Sequence, residues 1–110
     1  MQRRNRFMLL AALALAFAAA AGAEEHAQDA KQVFEKSCAS CHGVGGTGDT
    51  AAGRAMDAPA FQGPELAGME PSAICDQVRS IEKHQAMLKK VAAEDLAAAC
   101  QRVKELASGS

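Results

Sequence analysis

Five consecutive residues, Cys38-Ala39-Ser40-Cys41-His42, carry the most specific chemistry in this chain. Two thiols three positions apart, followed at once by an imidazole, form the attachment signature of a c-type haem. The thiols add across the two vinyl groups of one porphyrin and become thioethers. Their spacing lets both sulfurs reach the same edge of the macrocycle as the chain turns. The adjoining His42 then meets the iron as an axial ligand. Two other readings of a Cys-x-x-Cys pair compete, half of a zinc site and a redox dithiol. A redox dithiol expects a neighbouring βαβ pattern, and no strand-like alternation accompanies this pair. A zinc site would have to recruit Cys75 and Cys100, which stand singly, without the paired spacing of a zinc ribbon.

An export signal supports the haem reading, and the N-terminus reads as such a signal. Arg3, Arg4 and Arg6 form a basic n-region, Phe7 to Ala21 is an unbroken apolar run of 15 residues, and Ala21-Gly22-Ala23 is a small-x-small cleavage site. This is the pattern of a secretory signal peptide. The run falls short of the about 20 apolar residues that a membrane span needs, although an uncleaved anchor is a competing reading. The expected organisation is a signal peptide over 1–23 and one small domain over 24–110, which is 87 residues. Cleavage removes three basic residues and no acidic ones, leaving 9 basic against 13 acidic, a net charge of −4. That balance argues against nucleic acid and against anionic lipid as partners. It suits docking to a basic patch on a redox protein.

The elements that must position the motif read as helices. Ala27, Ala30, Val33 and Phe34 recur on one helical face, predicting a helix over 27–36 that leads into the motif. Residues 43–49 are glycine-rich turn and loop, and 50–68 continue as irregular chain punctuated by Gly53, Pro59, Gly63, Pro64 and Gly68. Pro71 suits the first position of a helix that carries Ile74, Val78 and Ile81 as an apolar stripe and ends near Lys83. A polar connection from His84 to Lys90 follows. The last helix, about Ala93 to Leu106, opens on Glu94 and Asp95, which complement its dipole, and buries Leu96, Cys100 and Val103. The mature chain has no Trp or Tyr and only Phe34 and Phe61 as aromatics, so a haem would supply the large apolar body that so small a core lacks.

Four cysteines minus the two of the motif leave Cys75 and Cys100. Each lies on or beside the apolar face of its helix. They form either a disulfide or two buried thiols, and an oxidising compartment favours the disulfide.

With these pieces in order, the chain from about Asp29 to Leu106 resembles a class I c-type cytochrome. The segment from Val33 to Gly43 is similar to the family's first helix and haem motif. Gly63-Pro64-Glu65-Leu66-Ala67-Gly68 resembles the loop segment after it, and Met87 with Glu94-Asp95-Leu96 resembles the ligand methionine and the start of the final helix. Two positions depart from the pattern. Ala30 stands where a glycine is expected and Ala99 where an aromatic is expected on the last helix; both bear on how the terminal helices cross, not on the haem ligands.

The resemblance implies an all-α cytochrome c fold, three main helices and a long loop wrapped around one covalently bound haem. It implies that Cys38 and Cys41 hold the haem, that His42 and Met87 are the axial iron ligands, and that the Pro64 carbonyl accepts a hydrogen bond from His42. Met87 lies 45 residues after His42; Met69 and His84 are its rivals for the sixth position, with Met56 a further methionine. Phe34, Leu66, Ile74, Val78, Val91 and Leu96 are the candidate pocket residues, and Arg54 is a surface cation that could meet a propionate. The function expected is electron transport in the bacterial periplasm. The haem iron would cycle between ferric and ferrous in a monomer that docks transiently to other redox proteins, with no membrane association after signal cleavage and no enzymatic constellation. The alternatives are a cytochrome subunit of a periplasmic dehydrogenase complex and a haem sensor or peroxidase-like protein.

Overall fold

The computed structural model describes residues 29–109. The predicted signal peptide, 1–23, lies outside the described residues. Among them every regular element is helical and none is a strand. No described helix is long and apolar enough to cross a membrane.

Helix α1, described over 29–37, turns its apolar face inward through Ala30 and Phe34, both fully buried and one turn apart. On its outer face Lys31 and Glu35 form an i,i+4 pair at 3.9 Å, worth a few tenths of a kcal/mol. The chain then closes a second short turn, α2 (Ala39–His42), which is the Cys-x-x-Cys-His motif itself. The His42 amide donates to the Cys38 carbonyl at 3.0 Å. Gly43, at φ +82°, ends the helix.

The stretch from Thr50 to Gly68, expected to be irregular, contains two short helices, α3 (Ala51–Ala55) and α4 (Pro64–Gly68). Both have ordinary local causes. The Thr50 side chain caps α3 by accepting the Gly53 amide at 2.8 Å. Pro64 supplies the first position of α4. The carbonyls near the C-terminus of α4 are met from across the fold: the Lys104 ammonium donates to Ala67 at 2.9 Å and Met69 at 2.7 Å.

Helix α5 (Pro71–Ser80) starts on Pro71 as its sequence predicts. It stops at Ser80 rather than near Lys83, because Ile81 swings to an extended conformation, ψ 122°. The polar connection beyond it is helical too, a 3-10 turn over Glu82–His84 followed by α6 (Gln85–Leu88). Helix α7 (Ala93–Ala107) carries Glu94 and Asp95 in its first turn and buries Leu96, Ala99, Cys100 and Val103 along one stripe.

The core lies where α1, α5 and α7 meet. Phe34, Ile74, Cys75, Leu96, Cys100 and Val103 form one buried cluster. Cys75 and Cys100 are joined by a disulfide that cross-links α5 to α7, with Cα atoms 5.7 Å apart. Ala30 and Ala99, the two departures from the family pattern, are both buried. The three longer helices thus form a frame, and the segment from Gly43 to Met69 closes one side of it.

Candidate functional site

The frame and the loop enclose a cavity of about 760 Å³. One wall is α1 and the motif, with Phe34, Cys38, Cys41 and His42. A second is the loop from Met56 to Phe61. Ile74 and Val78 of α5 line it too, as do His84 and Met87.

The motif turn is held from beneath by α3. The Thr50 hydroxyl lies 2.7 Å from the Cys41 carbonyl and 3.0 Å from that of Ser40, while its oxygen accepts the Gly53 amide. Gly53 is buried directly against this turn. A Cβ there would collide with the carbonyl oxygens of Cys41 and Gly48. The loop is tied back to the motif by the Gly48 amide donating to the His42 carbonyl at 2.7 Å and the Phe61 amide donating to Gly46 at 2.7 Å. Gly46 sits at φ +72° with the Phe61 ring against it, where a side chain has no room. These bonds bring Phe61 under the imidazole. The His42 and Phe61 rings stack with centroids 4.6 Å apart, and Phe61 meets Phe34 edge-on at 5.9 Å.

Burial, and next the positive charge that His84 can carry, pull the His42 pKa below its ordinary value, against a smaller upward pull from the Pro59 backbone. The ring is therefore neutral at neutral pH, the form in which imidazole binds a metal. Its Nδ1 is buried without a hydrogen-bond partner, so Pro59 lies near the ring but does not reach Nδ1 in hydrogen-bonding geometry. The His84 ring, also on the cavity lining, has its centroid 6.1 Å from that of His42, with the planes tilted by 55°. Burial pushes the Cys38 thiol up to about 11. Catalytic dithiols have an activated thiol with a depressed value, and Cys38 is shifted the other way. Cys75 and Cys100, the only further cysteines a zinc site could recruit, are bonded to each other.

The structure brings Cys38, Cys41, His42, Met87 and His84 to one cavity, together with Met56. Met69 instead packs against the core cluster. Pro64 opens α4 and lies outside the cavity wall; the proline whose backbone approaches His42 is Pro59. The reason is the path of the loop, which the Phe61 amide pins to Gly46 two residues after Pro59. Of the candidate pocket residues Phe34, Leu66, Ile74 and Val78 line the cavity, whereas Leu96 is core and Val91 packs against that core. Arg54 forms an exposed ion pair with Asp49. Sequence reasoning missed the supports, namely Thr50, Gly53 and the stacking role of Phe61. Thr50 three residues before Gly53 carries a capping signal, which the glycine and proline punctuation around it masks.

The cytochrome c family model matches residues 27–99. The chain belongs to the cytochrome c family. It has the all-α fold of that family and is a haem-binding electron-transfer protein. No curated protein and no solved structure matches the chain. The residues present fit the haem that the family binds covalently. Cys38 and Cys41 are free thiols on one wall, the neutral imidazole of His42 stands beside them, and the cavity falls within the roughly 300–1,000 Å³ of a buried ligand site. Cys38 and Cys41 would hold the macrocycle and His42 the iron. When bound, the haem supplies a one-electron ferric/ferrous couple. The chain supplies the low-dielectric walls, the oriented imidazole and the stacked Phe61 that keeps it in place.

Proposed function

We propose that this cytochrome c is a single-haem electron carrier of the bacterial periplasm, exported by the signal peptide over 1–23 and meeting its redox partners transiently as a monomer. The observation that carries the reading is the convergence of the two free thiols, the neutral His42 and two further donors, His84 and Met87, on one apolar cavity. His42 would hold the iron together with a second donor from the 3-10 turn or α6. An iron so held by two side chains would suit electron transfer rather than substrate binding at the metal.

Met56 and Ile81 are exposed apolar residues on the cavity lining, 42% and 44% accessible. They would form the apolar centre of a docking face. Asp57, Glu82 and Lys83 stand beside them in the chain and also line the cavity. Encounters between redox proteins bury under about 1,200 Å², so a small apolar centre with charged neighbours suits them.

The test is expression with export and haem-c maturation. The mature protein should begin after Ala23, keep its haem on denaturation and titrate as one reversible one-electron couple. Cys38→Ala or Cys41→Ala should each remove one thioether. Rapid binding of cyanide by the ferric protein would favour the sensor or peroxidase-like alternative. Co-purification with a partner at fixed stoichiometry would favour the dehydrogenase subunit. A chain that matures without covalent haem would sink the proposal.

A further inference from the structure

We propose that His84, rather than Met87, is the sixth ligand, so that the iron of this cytochrome is held between two imidazoles. The inference rests on the haem-carrier reading above. Two independent observations carry it.

The first is the separation of the rings. The His42 and His84 centroids are 6.1 Å apart. A metal–imidazole nitrogen bond is about 2 Å and a ring nitrogen lies about 1.1 Å from its centroid, so two imidazoles on opposite sides of one metal ion have centroids about 6 Å apart. The structure already holds the two rings at that separation, both on the lining of the cavity that Cys38 and Cys41 share.

The second is the orientation of His84. Its Nδ1 lies 2.9 Å from the Val78 carbonyl. A carbonyl can only accept, so Nδ1 carries a proton, and in the neutral ring Nε2 keeps its lone pair. Metal-bound histidines keep such an outer partner, which fixes both the tautomer and the ring direction. The carbonyl lies in the last turn of α5, where the Ile81 amide reaches it only at 3.4 Å and its second lone pair is open to the ring. It is also firmly placed, since α5 is cross-linked to α7 through Cys75.

The backbone of the segment is pinned as well. The His84 amide donates to Ile81 at 3.1 Å. The Gln85 side-chain amide spans the Arg79 and Ile81 carbonyls at 3.0 and 3.1 Å. Met87 lies on the next turn of the same wall and becomes an apolar wall residue. Methionine ligation raises the potential of a c-type haem. Replacing it by a second imidazole therefore favours the ferric state and places this carrier lower on the potential scale.

The experiment compares the matured wild type with His84→Ala and Met87→Leu by ferric absorption spectrum, proton NMR of the ferrous form and redox titration. The wild type should be low-spin, without the weak red-end band of sulfur on ferric iron and without a strongly upfield-shifted methionine methyl resonance. Met87→Leu should leave spin state and potential unchanged. His84→Ala should become high-spin, or acquire the sulfur band together with a raised potential. A wild type that shows the sulfur band and loses it in Met87→Leu would overturn the His84 assignment while leaving the carrier reading intact. The wild-type spectrum and NMR decide the matter even where a variant fails to mature. Failure to bind haem covalently would overturn both.

Discussion

Replacing Cys75 and Cys100 together by alanine removes the only covalent link between α5 and α7, the two helices that frame the back of the cavity. The bond closes a loop with a sequence separation of 25. In the chain-entropy description a loop of that size is worth about 3.5 kcal/mol at 25 °C. Both residues are buried, at 3% and 1% accessibility, so the two alanines also lose packing. A domain of this size has a total stability of roughly 5–15 kcal/mol, and the bond is therefore a substantial share of it. For a small domain each kcal/mol moves the melting temperature by about 4–8 °C, so the double variant should melt roughly 15–25 °C below the wild type. The assay is thermal unfolding by far-UV circular dichroism on the two matured proteins, with the covalent haem present in both. Reducing the wild type separates the contributions, since it breaks the bond but leaves both sulfurs in the core. The denatured, unreduced wild type should contain no titratable thiol. A local consequence is also expected. α5 carries the Val78 carbonyl that orients His84, so the double variant should bind carbon monoxide faster in the ferrous state. A melting temperature within about 4 °C of the wild type, which is about 1 kcal/mol, would refute the reasoning. So would two reactive thiols in the denatured wild type.

The support under the motif gives a second expectation. Gly53→Ala gains about 1 kcal/mol of helix propensity but drives a methyl into the Cys41 and Gly48 carbonyls, and overpacking of that kind costs about 1–3 kcal/mol. The clash should win, lowering the yield of haem attachment and the stability. Thr50→Val, nearly isosteric, leaves carbonyls and an amide without partners and should cost about 1–3 kcal/mol; equal stability and haem yield would show that the turn holds itself. A third concerns Cys38 in protein exported without haem maturation. Its thiol is pushed up to about 11, and only the thiolate is nucleophilic. At pH 8 it should alkylate roughly two orders of magnitude more slowly than in the denatured chain, with the rate rising towards pH 11, as read by peptide mapping. Equal rates at pH 8 would mean that the thiol is not desolvated.

The haem motif was legible in the sequence because its chemistry is local: two thiols and an imidazole within five residues need only one helical turn to converge. The stripe of Leu96, Cys100 and Val103 was legible for a similar reason, since a helix puts such residues on one face whatever surrounds it. Glycines and prolines between 50 and 68 misled, because each was weighed as punctuation. Gly53 is small for a tertiary reason, the approach of the Cys41 carbonyl, and its own helix forms around it. Ile81 belongs to the α5 stripe by spacing, yet the backbone turns there and leaves it exposed.

What the sequence determined by itself is thus the family, the Cys38, Cys41 and His42 motif that would hold its haem, and the faces of the long helices. These follow from covalent spacing and helical period, which are properties of short segments. Only the tertiary structure decided which side chains stand opposite one another. That Cys75 meets Cys100, that Pro59 rather than Pro64 lies beside His42, and that His84 faces His42 with its Nδ1 tied to Val78 all depend on where α5 ends and how the loop returns. Those are set by packing and hydrogen bonds between residues far apart in the chain, and no local pattern encodes them.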